Sequence, residues 1–133
     1  MPQFITGRKS KLTFLMGCML LLMKISSVYA SHAVEIDSLK KELIEVSSNE
    51  NRIAIYVRLS NIYQSVNTDS AARYIGIALS VSNEKTTPYL LGQIHNAIGN
   101  IAVMQDSLDK AGVAYTTAAG YFTKAEDWNR LAD

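Results

Sequence analysis

"LSNIYQSVNTDSAARYIGIAL" (59–79) and "IGNIAVMQDSLDKAGVAYTTAA" (98–119) write one pattern twice. Asn61 and Ile62 return as Asn100 and Ile101, and Leu59 and Ser60 as Ile98 and Gly99. Further along, Ala71, Ile75 and Ala78 return as Ala111, Tyr115 and Ala118, one residue later than the first set would place them. Each copy carries apolar residues at three- and four-residue steps, then a polar break, then a second run of the same kind. That is a helix, a turn and a helix, and the extra residue is expected in the turn, where an insertion costs least. Small residues at Ser60, Gly99, Ala71, Ala78, Ala111 and Ala118 fall where two helices would cross closely. A lone hairpin of this kind cannot cover its own apolar face, which is why repeats stack.

Working outward, the same periodicity predicts a helix over 34–46 with Ile36, Leu39, Leu43 and Val46 inward, and one over 52–65 with Ile55, Leu59, Ile62, Tyr63 and Val66 inward. A third helix begins near Ala71, capped by Thr68 or Asp69, and turns Ala71, Tyr74, Ile75, Ala78 and Leu79 inward. Pro88 suits the first turn of a fourth helix over 89–104, with Leu91, Ile94, Ile98, Ile101 and Ala102 on its packed side. Asp106 is the expected cap of a fifth helix over 107–123 that packs Ala111, Tyr115, Ala118 and Phe122. "AEDWNRLAD" (125–133) reads as the start of a sixth, with Trp128 and Leu131. No stretch alternates polar and apolar residues long enough for a strand, so the fold class is all-α, an α-solenoid of antiparallel hairpins.

The first thirty residues read differently. "GRKSK" is basic, "LTFLMGCMLLLM" (12–23) is apolar, and "SSVYA" ends in small residues, the layout of a signal peptide cleaved after Ala30. Twelve apolar residues reach only ~18 Å as a helix, short of a ~30 Å hydrocarbon core. Cys18, the single cysteine, sits in "LMGC", which approximates a lipidation motif, but Met16 is atypical there and "MLLLM" would open the mature chain. Four of the 13 basic residues precede Ala30, leaving nine against 12 acidic ones afterwards, a net −3. A mildly acidic body with no basic stripe excludes nucleic acid as a direct partner. Membrane contact is expected only through an uncleaved leader or a region outside this segment, and the location is exported, periplasmic. The expected organisation is leader 1–30, capping helix and linker 31–51, repeats 52–85 and 86–125, and the start of a truncated further repeat at 126–133.

The spacing Ile98, Gly99, Ala111, Tyr115, Ala118 resembles the tetratricopeptide repeat, and Leu59, Ser60, Tyr63, Ala71, Ile75, Ala78 resembles it with a turn one residue shorter. Ala102 replaces an aromatic residue of the pattern, His95 stands where tryptophan is common, and the closing proline is missing. The resemblance covers about residues 52–125. It implies that Leu59, Ser60, Tyr63, Ala71, Ile75, Ala78, Ile98, Gly99, Ala111, Tyr115 and Ala118 pack the repeats. It also implies an inner, concave face at Val57, Asn61, Gln64, Gln93, Asn96, Asn100, Val103 and Met104 that binds a protein or peptide. Asn61 and Asn100 follow the small packing residue in both copies, and each amide has a donor and an acceptor for an extended peptide. Solvated polar positions on an exposed face are the simpler account of the same two residues. Val57 and Asn96 stand where carboxylate-clamping relatives carry lysine.

Catalysis is not expected. His95 is the only histidine in the body away from the processed end, and no His, Cys or carboxylate stands at metal-ligand spacing around it. There is no phosphate-cradling glycine loop and no nucleophile elbow, and no cofactor is expected. With its leader and "IDSLKKEL" (36–43), the chain looks like the exported sensory N-terminus of Bacteroidota sensor and regulator proteins. Two competing readings stay open: the sensor segment of a membrane histidine kinase, enzymatic only through another domain, and a nonfunctional truncated fragment.

Overall fold

The computed structural model describes the backbone of residues 6–132 and the side chains of residues 11, 13–23 and 30–126. Every regular element among them is an α-helix: α1 Thr6–Glu45, α2 Asn49–Gln64, α3 Thr68–Val81, α4 Pro88–Met104 and α5 Leu108–Ala132. Contacts divide the chain into two compact units, Met1–Asp37 and Ser38–Asp133.

The described part of the expected leader and the helix expected from residue 34 belong to one element, α1. No glycine or proline lies between Lys24 and Glu45, so nothing in the local chemistry stops α1 at Ala30. Its residues Phe14, Leu15, Met16 and 19–23 are exposed apolar side chains. No helix among the described residues is long and apolar enough to cross a membrane.

The second unit is built from two hairpins, α2 with α3 and α4 with α5, and α4 also packs on both α2 and α3. The hairpins are antiparallel: Gly92 and Phe122 meet at one end of the second, Gly99 and Tyr115 towards the other. Asn49 Nδ2 donates to the Val81 carbonyl (2.9 Å), tying the start of α2 to the end of α3. Between the hairpins, Ile53 and Val57 of α2, Ala71, Ile75 and Ala78 of α3, and Ile94, Ala97 and Ile101 of α4 form one core. Ile55 and Leu59, on the other side of α2, are equally buried. A helix buried on two sides does not show a single apolar stripe.

The helix ends correct several expectations. α2 begins at Asn49 because Ser48 caps it, and α3 begins at Thr68 because Asn67 Oδ1 accepts from Ser70 N at 2.8 Å; neither Thr68 nor Asp69 is the cap. Pro88 does occupy the first turn of α4. Asp106 caps nothing: it ends α4 in the left-handed region at φ 54°. Its N–H donates to Val103 O (3.0 Å) while Ser107 N–H reaches Ala102 O (2.8 Å), the paired bonds of a Schellman motif. α5 runs on through residues 125–132 rather than yielding to a separate sixth helix, since "TKAEDW" (123–128) holds neither glycine nor proline. The side chains of Trp128 and Leu131 lie outside the described residues. Val66 and Leu79, expected inside, are exposed at the helix ends.

The added residue of the second copy sits in the turn. Asn67 N donates to the carbonyl of Tyr63 (2.7 Å) and Ser107 N to that of Ala102, four residues back in one hairpin and five in the other. The longer turn is the one that needs a positive φ. Asp106→Gly is therefore expected to stabilise the chain by about 0.5–1 kcal/mol, raising Tm by roughly 3–6 °C. Asp106→Val is expected to lower Tm, and thermal melts followed by circular dichroism check both.

Candidate functional site

The repeated asparagines do not stand apart as two solvated amides. Tyr115 Oη donates to Asn100 Oδ1 at 2.8 Å, Asn100 Nδ2 to Gln64 Oε1 at 3.4 Å, and Gln64 Nε2 to Asn61 Oδ1 at 3.2 Å. The four side chains make a directional ladder from α5 across α4 to α2. Gln64 and Asn100 each use one donor and one acceptor within it, whereas Asn61 only accepts, and its Nδ2 at the end of the ladder has no partner among the described residues. Gln64 and Asn100 are half-buried and Asn61 is exposed, so the ladder lies along the surface where the hairpins meet.

The remaining expected site residues divide. On α4, Asn96 is exposed one turn before Asn100, Gln93 is half-buried one turn earlier, and Val103 and Met104 are exposed one turn later. Val57 is a correction. It is 3% exposed and belongs to the shared core, because α4 packs over the part of α2 that carries it. The stripe Val57, Asn61, Gln64 thus starts in the core and emerges at the amides.

Of the expected packing residues, Leu59, Ser60, Ala71, Ile75, Ala78, Gly99, Ala111 and Ala118 are buried, and Tyr63 and Ile98 are half-buried. Ser60 does more than leave room: its hydroxyl donates to the Ala71 carbonyl at 2.9 Å. Gly99 accommodates a ring, since a Cβ there would stand 2.5 Å from Tyr115 Cε1. Tyr115 is not a core residue; at 37% exposure it lays its ring on Gly99 and holds its hydroxyl on Asn100. Sequence reasoning assigned it to packing alone and missed its place in the ladder. Gly92, against Phe122, repeats this close approach and was also missed.

A second concavity, about 740 Å³, lies between residues 84–91 and the 121–125 part of α5, and includes Tyr89, Tyr121, Lys85 and Lys124. Lys124 Nζ stands 5.5 Å from the Tyr121 ring centre, and His95 stacks on the same ring at 5.4 Å and 17°. Its signal in the sequence is the Tyr121, Lys124 pair at helical spacing, which a search for catalytic residues passes over.

Burial lowers the pKa of His95 below its ordinary 6.5. The unfolded chain then binds a proton near pH 6.5 that the folded chain still refuses, so stability falls as pH drops from 6.5 to the lowered folded value and levels off below it. His95→Gln is expected to remove this component. Urea midpoints at pH 7.5 and pH 5 would then differ less in the variant than in the parent chain.

Among the described residues, no three His, Cys, Asp or Glu side chains gather closely enough to hold a metal ion. Comparison found no match for the chain among protein families, curated proteins or solved structures.

Proposed function

We propose that this chain is a tetratricopeptide-type module, exported by its leader, that binds a protein or peptide partner along the amide ladder and is not itself an enzyme. The observation that supports the reading most is the continuity of Tyr115, Asn100, Gln64 and Asn61 across both hairpins. An extended peptide laid along this seam meets an unused donor at Asn61 and the second lone pairs and N–H groups of Gln64 and Asn100, with Val103 and Met104 as apolar contacts nearby. A ladder satisfied within the protein holds those amides in one orientation before the partner arrives, which lowers the ordering cost of binding. The resemblance to exported Bacteroidota sensors supports reading the module as the sensing part of a larger signalling or transcription-regulating protein.

Selection of displayed random peptides on the full chain tests the binding reading. Peptides so recovered should bind Asn61→Ala and Asn100→Ala roughly 10-fold more weakly, the equivalent of about 1.4 kcal/mol. Binding undiminished in both variants, with their melting curves unchanged, would sink it. The export reading is tested separately by the mass of the product in the expressing cell, where cleavage after Ala30 removes the leader.

A further inference from the structure

The backbone bonds of the two turns set the hairpins in correspondence. Asn67 N to Tyr63 O matches Ser107 N to Ala102 O, and Ala71 N to Asn67 O matches Ala111 N to Ser107 O. Tyr63 therefore corresponds to Ala102, Tyr56 seven residues earlier to His95, and Tyr74 to Ala114. In the first hairpin these positions hold three rings: Tyr74 stacks on Tyr63 at 5.3 Å and 19°, and on Tyr56 at 6.4 Å and 26°. In the second hairpin two of the three rings are replaced by methyl groups. Ala102 is buried, but Ala114 borders a groove of about 470 Å³, lined also by His95, Ile98, Val113 and Thr117, with Asp109 and Lys110 its charged members. Ile98 is left half-exposed, whereas its counterpart Leu59 is fully buried.

We propose that this groove is a slot for a phenolic ring, a tyrosine side chain of a peptide partner that takes the place Tyr74 holds in the first hairpin. The chain supplies the template for its own ligand. One ring lines the groove, His95, and it is held by stacking on Tyr121 outside it, so an incoming ring can extend that stack. Ile98 and Val113 offer apolar surface to the ring, and Val113 is 70% exposed, so it is open to contact. Asp109 accepts a phenol O–H, and Lys110 can donate to its oxygen. An aliphatic occupant would fill the volume without using the stacked pair or these two charges. The slot uses none of the ladder residues, so it stands even if the amide face binds nothing.

The test is a titration of the full, isotopically labelled chain with p-cresol, read by amide chemical shifts. Saturable shifts at Ile98, Val113, Ala114 and Thr117 are expected, with binding at least 5-fold weaker for 4-methylcyclohexanol, which has a similar shape without the ring. Ala114→Tyr should fill the slot from within, abolish the p-cresol shifts and leave Tm at or above that of the parent. Val113→Glu, a surface change, should weaken binding if the Tyr variant does not fold. Scattered or unsaturable shifts, equal affinity for the cyclohexanol, or p-cresol shifts that survive Ala114→Tyr would overturn the proposal. So would shifts of the same amides with rising protein concentration alone, which would make a second copy the occupant.

Discussion

Gly99→Ala is expected to destabilise the chain while Tyr115 is present, and to stabilise it once Tyr115 is alanine. A Cβ at position 99 would lie 2.5 Å from Cε1 and 2.7 Å from Cδ1 of the Tyr115 ring, so the ring must leave its seat. Overpacking of this kind costs about 1–3 kcal/mol. Moving the ring also breaks its bond to Asn100, a further loss of about 1 kcal/mol. Against that, alanine is better than glycine within a helix by about 1 kcal/mol. With the ring present the clash wins, and with it gone only the propensity gain is left. The double-mutant cycle should give a coupling of roughly 2–4 kcal/mol, well outside the error of denaturant melts. A Gly99→Ala change that behaves alike in both backgrounds would mean that Tyr115 does not rest on this glycine. The cycle also probes the candidate site, because the glycine that seats the ring thereby orders the ladder.

The hairpins were legible in the sequence because both of their signals are local. Small residues at fixed spacing mark where helices cross, and three- to four-residue periodicity marks the helices. The helix ends were less legible. Several residues near each break can cap, and which one does so depends on turn length: Asn67 serves the short turn, while the longer one forces Asp106 to a positive φ. The continuous α1 was less legible because the basic, apolar and small-residue layout of residues 1–30, read as an expected leader, says nothing of where a helix stops. At the site, Asn61, Gln64 and Asn100 could be picked out by their positions. Their joining could not, because it depends on α2 and α4 packing side by side and on a tyrosine from a third helix. The same packing explains Val57, which reads as a surface position within its own hairpin and becomes core only when the next hairpin arrives.

Ile94→Ala tests that dependence where it is strongest. Ile94 is 0% exposed and packs in the core shared by α2, α3 and α4. Truncating a buried isoleucine costs about 2–5 kcal/mol, against the total of about 5–15 kcal/mol usual for a domain. The expected drop in Tm is roughly 10–25 °C. Leu108→Ala, which removes an exposed side chain of similar size on α5, should stay within about 0.5 kcal/mol of the parent. The sharper expectation concerns cooperativity. Among the described residues, α4 is the only helix that packs on both members of the first hairpin while also belonging to the second, so its buried face carries the coupling between them. With Ile94 shortened, hydrogen exchange in α2 and α3 should separate from that in α4 and α5, each hairpin opening at its own free energy. Uniformly faster exchange throughout, with a single sharp transition, would instead show that the hairpins remain one cooperative unit and that Ile94 contributes bulk stability alone.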